Sequence, residues 1–449
     1  MIDSFDKLNL SKQLLSAIAE LGFTVPTPVQ NECFSVIMSG KDVIGIAQTG
    51  TGKTLAYVLP ILQQLKYSDQ INPRVLILVP TRELVLQVVK DIEEVATYQN
   101  VRIIGVYGGT NINTQKQKVI EGCDILVATP GRLYDLAVSG VLQLKSIYKL
   151  VIDEVDVMLD LGFRHQLTNI FELLPDKRQN LMFSATMTED VARLINQYFR
   201  NPEKISIAVS GTRLENIYQK SVLVPNFFTK VNLLSSLLED NDEFSKVLVF
   251  TSSKKHADKL FELLEENYGS EMVILHSNKS QNYRIRSLEQ FDVGERRIMI
   301  STDVMARGID IEDISHVINF DTPSYPENYM HRIGRTGRVD KKGTSLLFFS
   351  ESETEYKQEI ESLMNYIIPQ SQFPEGVEIS NELYDEEQPP KKEGLSSRPK
   401  TINEGKAFHE KKLKNQKTNQ GGSWRRKSKK HKNPKTRGDK VANKRKNKR

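Results

Sequence analysis

Val43-Ile44-Gly45-Ile46-Ala47-Gln48-Thr49-Gly50-Thr51-Gly52-Lys53-Thr54 runs from a short apolar segment into a glycine-rich turn that closes on Gly-Lys-Thr. The segment reads as a buried strand, the turn as a loop, and the residues after Thr54 as a helix. Glycines let backbone N–H groups close around phosphate oxygens. The N-terminus of the following helix adds positive potential at the same place. In such a loop Gln48, Thr49, Gly50, Thr51 and Gly52 form the cradle. Lys53 reaches the β- and γ-phosphates, and the Thr54 hydroxyl holds Mg²⁺. The generic pattern has Gly where this chain has Ala47.

Outward from this stretch, apolar runs recur and stop at small or charged residues. In the first half they are 43–47, 75–79, 103–107, 125–128, 150–152 and 181–183. Segments of helical period separate them, among them 83–95. Continuous apolar strands alternating with helices predict a parallel sheet covered on both faces. The second half repeats the pattern at 247–250, 272–275, 297–300, 317–320 and 345–348. The fold class is therefore α/β, with two doubly wound parallel-sheet domains in tandem. The expected segments are 1–208, a linker at 209–217, 218–368, and a basic disordered tail at 369–449, rich in Lys, Asn, Gly and Ser from about Gln388. Two packed domains on a short linker leave a cleft, a favoured ligand site.

Open parallel sheets bind ligands beyond the carboxyl ends of their strands. After 150–152 comes Asp153-Glu154-Val155-Asp156. Two adjacent carboxylates at a strand end suit Mg²⁺ and an attacking water. Asp153 would face the ion and Glu154 would orient or deprotonate the water.

Charge is divided unevenly. Residues 391–449 hold 23 basic and 4 acidic side chains, net +19, which leaves residues 1–390 at −14 within a chain total of +5. A tail of that kind points to a polyanionic partner, because Lys and Arg near phosphates release condensed counterions. It is expected to hold that polyanion, and a solubilising or targeting role is the alternative. Cys33 and Cys123 lie far apart with no Cys/His cluster, which argues against a structural zinc. No signal-peptide core or membrane-length apolar run occurs, so a cytoplasmic location with no membrane partner is expected.

Taken together, these motifs resemble the DEAD-box ATP-dependent RNA helicases of superfamily 2, over about residues 5–350, and the bacterial type in particular. Phe5, Gly22-Phe23 and Pro26-Thr27-Pro28-Val29-Gln30 look like the Q motif. The resemblance implies that Gln30 reads the adenine edge and Phe5 stacks on the ring, with Phe23 in the same site. Ala47 is then expected, as the family's loop reads AxTGxGKT. Pro80-Thr81-Arg82-Glu83-Leu84, Gly108-Gly109 and Thr129-Pro130-Gly131-Arg132 resemble RNA-backbone motifs. Ser184-Ala185-Thr186 resembles the motif coupling hydrolysis to unwinding, through a bond to Asp156. In the second domain, Phe250-Thr251-Ser252 and Gln281 to Arg284 resemble RNA-side motifs. Thr302 and Arg307 are implied toward RNA or between domains. Gly308 and Asp310 are implied at the nucleotide, Asp310 on its ribose. In His331-Arg332-Ile333-Gly334-Arg335-Thr336-Gly337-Arg338, the resemblance makes Arg335 and Arg338 arginine fingers on the γ-phosphate and His331 part of the coupling.

The family's fold is two RecA-like domains, and its cofactors are ATP and Mg²⁺. Its activity is ATP-driven local unwinding of RNA duplexes or remodelling of RNPs, with shape-led contacts to RNA. Ribosomal or RNP partners come with the resemblance. The chain departs from the family at Val155 in DEVD, at Val85, and at His276-Ser277 in place of His-Gly. An ATP-timed RNA clamp or annealing scaffold stays open, as does a DNA-directed translocase, against which the 23–30 segment argues.

Overall fold

The computed structural model describes residues 4–47, 50–207, 216–303, 311, 313–337 and 342–388. In the first lobe the strands are β1 (Val43–Ile46), β2 (Val75–Leu78), β3 (Ile103–Val106), β4 (Ile125–Ala128), β5 (Lys149–Ile152), β6 (Gln179–Ser184) and β7 (Glu203–Ser206). They form one parallel sheet in the order β3-β4-β2-β5-β6-β1-β7. The second lobe has β8 (Ile217–Leu223), β9 (Val247–Thr251), β10 (Met272–Leu275), β11 (Ile298–Thr302), β12 (His316–Asn319), β13 (Gly343–Phe349) and β14 (Gln370–Ser371). Its order, β10-β11-β9-β12-β13-β8-β14, is the same permutation shifted by seven. The two lobes share one topology.

Side-chain alternation divides each sheet between two cores. Val75, Ile77, Val151, Leu181 and Phe183 face the helices 12–20, 28–38, 53–64 and 82–95. Their neighbours Leu76, Leu78, Leu150, Ile152 and Met182 face the helices 130–138, 155–160, 164–173 and 189–198. The second lobe repeats this, with Val247 and Val249 in one core and Leu248 and Phe250 in the other. Helices begin at side-chain caps: Ser11, Thr81, Thr188, Asn226, Ser253 and Ser280 each accept from a backbone N–H of the first turn.

Three strands carry no continuous apolar run. β7 is an edge strand that buries only Ile205, and β8 mixes Ile217 and Val222 with Gln219 and Ser221. β14 is two residues long.

The structure moves the second boundary. Residues 369–388, assigned to the tail from composition, belong to the second lobe. The Pro369 carbonyl accepts from Ser221 N–H at 2.9 Å, and Gln370–Ser371 pairs with β8. The Ser380 carbonyl accepts from Asn226 Nδ2 at 2.6 Å, and Glu387 Oε1 accepts from Phe227 N–H at 2.7 Å. The Tyr384 ring stacks on Phe227 with centroids 4.7 Å apart. Backbone pairing and two aromatic anchors hold this strap where composition alone showed only polarity. Ile217, placed in the linker, begins β8, and the rest of the linker except Asn216 lies outside the described residues, as does the tail from 389.

Candidate active site

The strand order decides which loops meet. β5, β6 and β1 are neighbours, so the loops leaving their carboxyl ends converge. Those loops carry Asp153 to Asp156, Ser184 to Thr186, and the glycine-rich turn. β3, β4 and β2 occupy the other half of the sheet and bring Gly108-Gly109, Thr129 to Arg132, and Pro80 to Arg82 together. The sheet thus separates a nucleotide half from an RNA half.

In the nucleotide half, Lys53 Nζ donates to Glu154 Oε1 at 2.8 Å, both side chains being almost fully buried. Burial disfavours the ammonium, but the charges of Glu154 and Asp153 outweigh it and raise the Lys53 pKa. Asp153 Oδ1 accepts from Glu154 N–H at 2.9 Å, and Asp153 Oδ2 accepts from the Tyr57 hydroxyl at 3.0 Å. Burial raises the Asp153 pKa. Glu154 sits in the left-handed region at φ 52°, rare for a residue with a side chain. That conformation, at the cap of the helix Val155–Asp160, is the kind of local strain found at functional positions. Glu154 Oε2 is buried and lacks a hydrogen-bond partner.

A Mg²⁺ ion fits these residues. Among the described residues no group of three or more His, Cys, Asp and Glu side chains could cage a metal alone. Mg²⁺ characteristically takes one or two carboxylates and completes its shell with water and substrate phosphates. Thr54, Asp153 and the unpartnered Glu154 oxygen are donors of that type.

Gln30 ties the adenine motif to the phosphate loop. Its Oε1 accepts from Thr27 N–H at 2.9 Å, and its Nε2 donates to the Gly52 carbonyl at 3.2 Å. Gly52 has φ 85°, and a Cβ there would strike the Gln30 amide. Phe5, expected to stack on adenine, is 4% exposed and packs in the core beside the helix 28–38, whereas Phe23 is 45% exposed.

Asp156 anchors the coupling group. Its Oδ2 accepts from Thr186 N–H at 3.0 Å and from the Thr186 hydroxyl at 2.8 Å, and Ser184 Oγ donates to the Thr186 carbonyl at 2.7 Å. From the second lobe, His331 Nε2 lies 3.5 Å from the same carboxylate oxygen. Burial works against ionisation of Asp156, but the His331 hydrogen bond and charge, with Lys53 and Thr186, hold its pKa well below the usual carboxylate range. Arg335 is buried four residues on, with Nε donating to the His331 carbonyl at 3.2 Å. The sequence left Arg332 without a role. It is fully buried, with Nη2 donating to Asp303 Oδ2 at 2.9 Å and Nη1 to Asn319 Oδ1 at 3.1 Å. It braces the end of β11, where Thr302 is buried, against β12.

On the RNA half, Pro80 and Thr81 follow β2, and the Thr81 hydroxyl accepts from Leu84 N–H at 3.3 Å. Thr129 and Pro130 begin the helix Pro130–Val138, whose Gly131 has open space where a Cβ would project. Gly108 is equally open, and Gly109, at φ 77°, abuts the Arg82 guanidinium. Two arginines expected on RNA are turned inward. Arg132 Nη1 donates to Gln115 Oε1 at 2.7 Å and its Nη2 to the Thr110 carbonyl at 2.9 Å. It braces the Gly108-Gly109 loop, helped by Gln115, which the sequence did not single out. Arg284 crosses the cleft to a buried ion pair with Glu83. Beside it Arg82 Nη1 donates to Gln281 Oε1 at 2.7 Å, and Gln281 Nε2 to Glu83 Oε1 at 3.3 Å. Gln48, Thr49, Arg307, Gly308, Asp310 and Arg338 lie outside the described residues.

A phosphate loop and acidic pair on one RecA-like lobe, closed upon by His331 and Arg284 of a second, define a two-lobed, nucleotide-driven enzyme acting on nucleic acid. Residues 27–194 match the family described as DEAD/DEAH box helicase, and residues 229–340 the helicase conserved C-terminal domain. The ATP-dependent RNA helicase RhlB of Shewanella frigidimarina is 38% identical over 377 residues, covering 82% of this chain and 86% of that protein. RhlB of Pseudomonas syringae pv. tomato is 40% identical over 361 residues, covering 78% and 90%. The structure of S. cerevisiae Dbp5 bound to RNA and ADP BeF3 matches with TM-score 0.75 at 28% identity, over 83% of this chain and 96% of that one. This chain belongs to the DEAD/DEAH-box family of ATP-dependent RNA helicases. It is an ATP-hydrolysing enzyme with RNA as its partner. Among the described residues, no helix is long and apolar enough to cross a membrane.

Proposed function

We propose that the chain hydrolyses ATP with Mg²⁺ at the Lys53, Asp153 and Glu154 cluster, and that lobe closure over RNA completes the site and opens short duplex segments. The observation carrying this reading is that both halves of the first sheet are contacted from the second lobe. Asp156 on the nucleotide half meets His331, and Glu83 on the RNA half meets Arg284. One movement would therefore report RNA occupancy to the nucleotide and nucleotide occupancy to the RNA.

In this reading Gln30 and Phe23 receive the base, and the loop amides with Lys53 receive the phosphates. Thr54 and Asp153 face Mg²⁺, whose chemistry when bound is neutralisation of charge on the terminal phosphates. As Lys53 turns to phosphate it releases Glu154 Oε1, which orients the attacking water and takes its proton. Arg335 and Arg338 come to the γ-phosphate from the second lobe, and Gly308 and Asp310 to the nucleotide. The RNA backbone lies along Pro80, Thr81, Arg82, Gly108, Gly109 and Thr129 to Gly131 on one lobe, and Thr302 and Arg307 on the other. Arg132 and Arg284 hold these surfaces from behind. The proposed setting is the cytoplasm, on ribosomal or RNP assemblies.

Glu154→Gln tests the chemistry. It should bind ATP and RNA together yet hydrolyse at least about 100-fold more slowly, the usual scale of a lost general base. Turnover near the wild-type rate would remove Glu154 from that role.

A further inference from the structure

Tyr57 is buried one turn beyond Lys53 on the helix Lys53–Gln64, on the same face as Lys53 and Thr54. Its hydroxyl donates to Asp153 Oδ2 at 3.0 Å, while Asp153 Oδ1 accepts from Glu154 N–H at 2.9 Å. Both oxygens of the carboxylate are thereby fixed, one from each side. Thr54 lies three residues before Tyr57, on the same helix face. One phenol thus stands beside both groups that face the metal in the reading above.

The ring cannot drift. It packs on Phe183 at a centroid distance of 5.3 Å and an interplanar angle of 48°. Phe183 in turn occupies the space that a Cβ on Gly45 would fill, 2.6 Å from its ring atoms. Gly45 lies on β1, Phe183 on β6 and Asp153 just past β5, so three neighbouring strands set the position of one hydroxyl.

We infer that Tyr57 is a positioning residue for Mg²⁺ binding, its hydroxyl holding the Asp153 carboxylate in the orientation that receives the hydrated ion. The residues that orient metal-side carboxylates govern metal affinity almost as strongly as the ligands themselves, typically by about 10- to 100-fold. Without the hydroxyl, Asp153 Oδ2 is left buried with no donor and the carboxylate turns about its Cβ–Cγ bond.

The inference rests on Asp153 facing the metal, and the test separates the two ideas. ADP binding to the full chain is measured by fluorescence with Mg²⁺ and with EDTA, for wild type, Tyr57→Phe, Asp153→Asn and the double variant. Phe keeps the ring against Phe183, and melting in EDTA checks that the fold is intact. Tyr57→Phe should raise the Mg²⁺ midpoint about tenfold and leave EDTA binding unchanged. In the Asp153→Asn background the same substitution should add nothing. A wild-type Mg²⁺ midpoint in Tyr57→Phe overturns the inference, and so does an equal loss with and without Mg²⁺, which would make Tyr57 a support of the phosphate loop only. If Asp153→Asn keeps the full Mg²⁺-dependent gain in affinity, the metal-side assignment of Asp153 fails first and the inference fails with it.

Discussion

Removing Arg284 should cripple closure while leaving each lobe sound. Arg284 and Glu83 come from different lobes and are 5% and 6% exposed as side chains, so the pair exists only when the lobes meet. Breaking a buried ion pair from one side costs about 3–5 kcal/mol, because the surviving charge is stranded. Here Gln281 Nε2 still reaches Glu83 Oε1 at 3.3 Å, which argues for the lower end. A loss of about 3 kcal/mol in the closed form alone lowers the closing equilibrium roughly 150-fold, at 1.4 kcal/mol per factor of ten. Arg284→Leu should therefore show little high-efficiency energy transfer between dyes on the two lobes when an ATP analogue and RNA are both present. ATP affinity without RNA should stay normal. The double variant Glu83→Leu/Arg284→Leu should recover much of the closure, since no charge is left stranded. Normal closure in Arg284→Leu would refute the reasoning, as would a double variant as poor as the single.

Gln30→Ala removes both the base-reading amide and the bond from Gln30 Nε2 to the Gly52 carbonyl. ATP and GTP affinities should both fall, with ATP falling roughly tenfold further because its specific hydrogen bonds are lost, and competition binding reads the ratio. Asp91, on the helix Arg82–Val95, has its pKa pushed from 3.8 to about 7, first by burial and then by Glu94. A carboxyl whose folded pKa is raised destabilises the fold above that pKa, and the penalty fades as pH falls toward the unfolded value. Asp91→Asn should accordingly melt a few degrees higher at pH 8, at about 2–4 °C per kcal/mol. The gain should shrink between pH 7 and 4, and a gain constant across that range would contradict the assignment.

Much of the fold was legible because its central strands are buried on both faces and therefore apolar throughout. β7, β8 and β14 escaped because edge and near-edge strands mix polar residues, so no run marks them. The strap 369–388 escaped because it is held by backbone groups and by Phe227, Tyr384 and Glu387, whose pairing is a tertiary fact. In the site, groups at strand ends followed from the sheet's directionality. Residue type did not show that Arg132 would bond Gln115 or that Arg284, both placed on RNA, would pair with Glu83 across the cleft. Phe5 was placed at the base by its motif position, and the sequence did not show that its ring is enclosed while Phe23 is exposed. Tyr57, Gln115 and Arg332 showed no signal, because their partners Asp153, Arg132 and Asp303 are brought to them only by the order of the strands.

The most direct measurement of a site completed across the cleft is single-turnover ATP hydrolysis by Arg335→Ala at saturating ATP and RNA. Loss of a group that stabilises the transferring phosphoryl should slow the step about 10³-fold or more while both ligands remain bound. Hydrolysis within a few-fold of wild type would mean that the first lobe performs the chemistry alone.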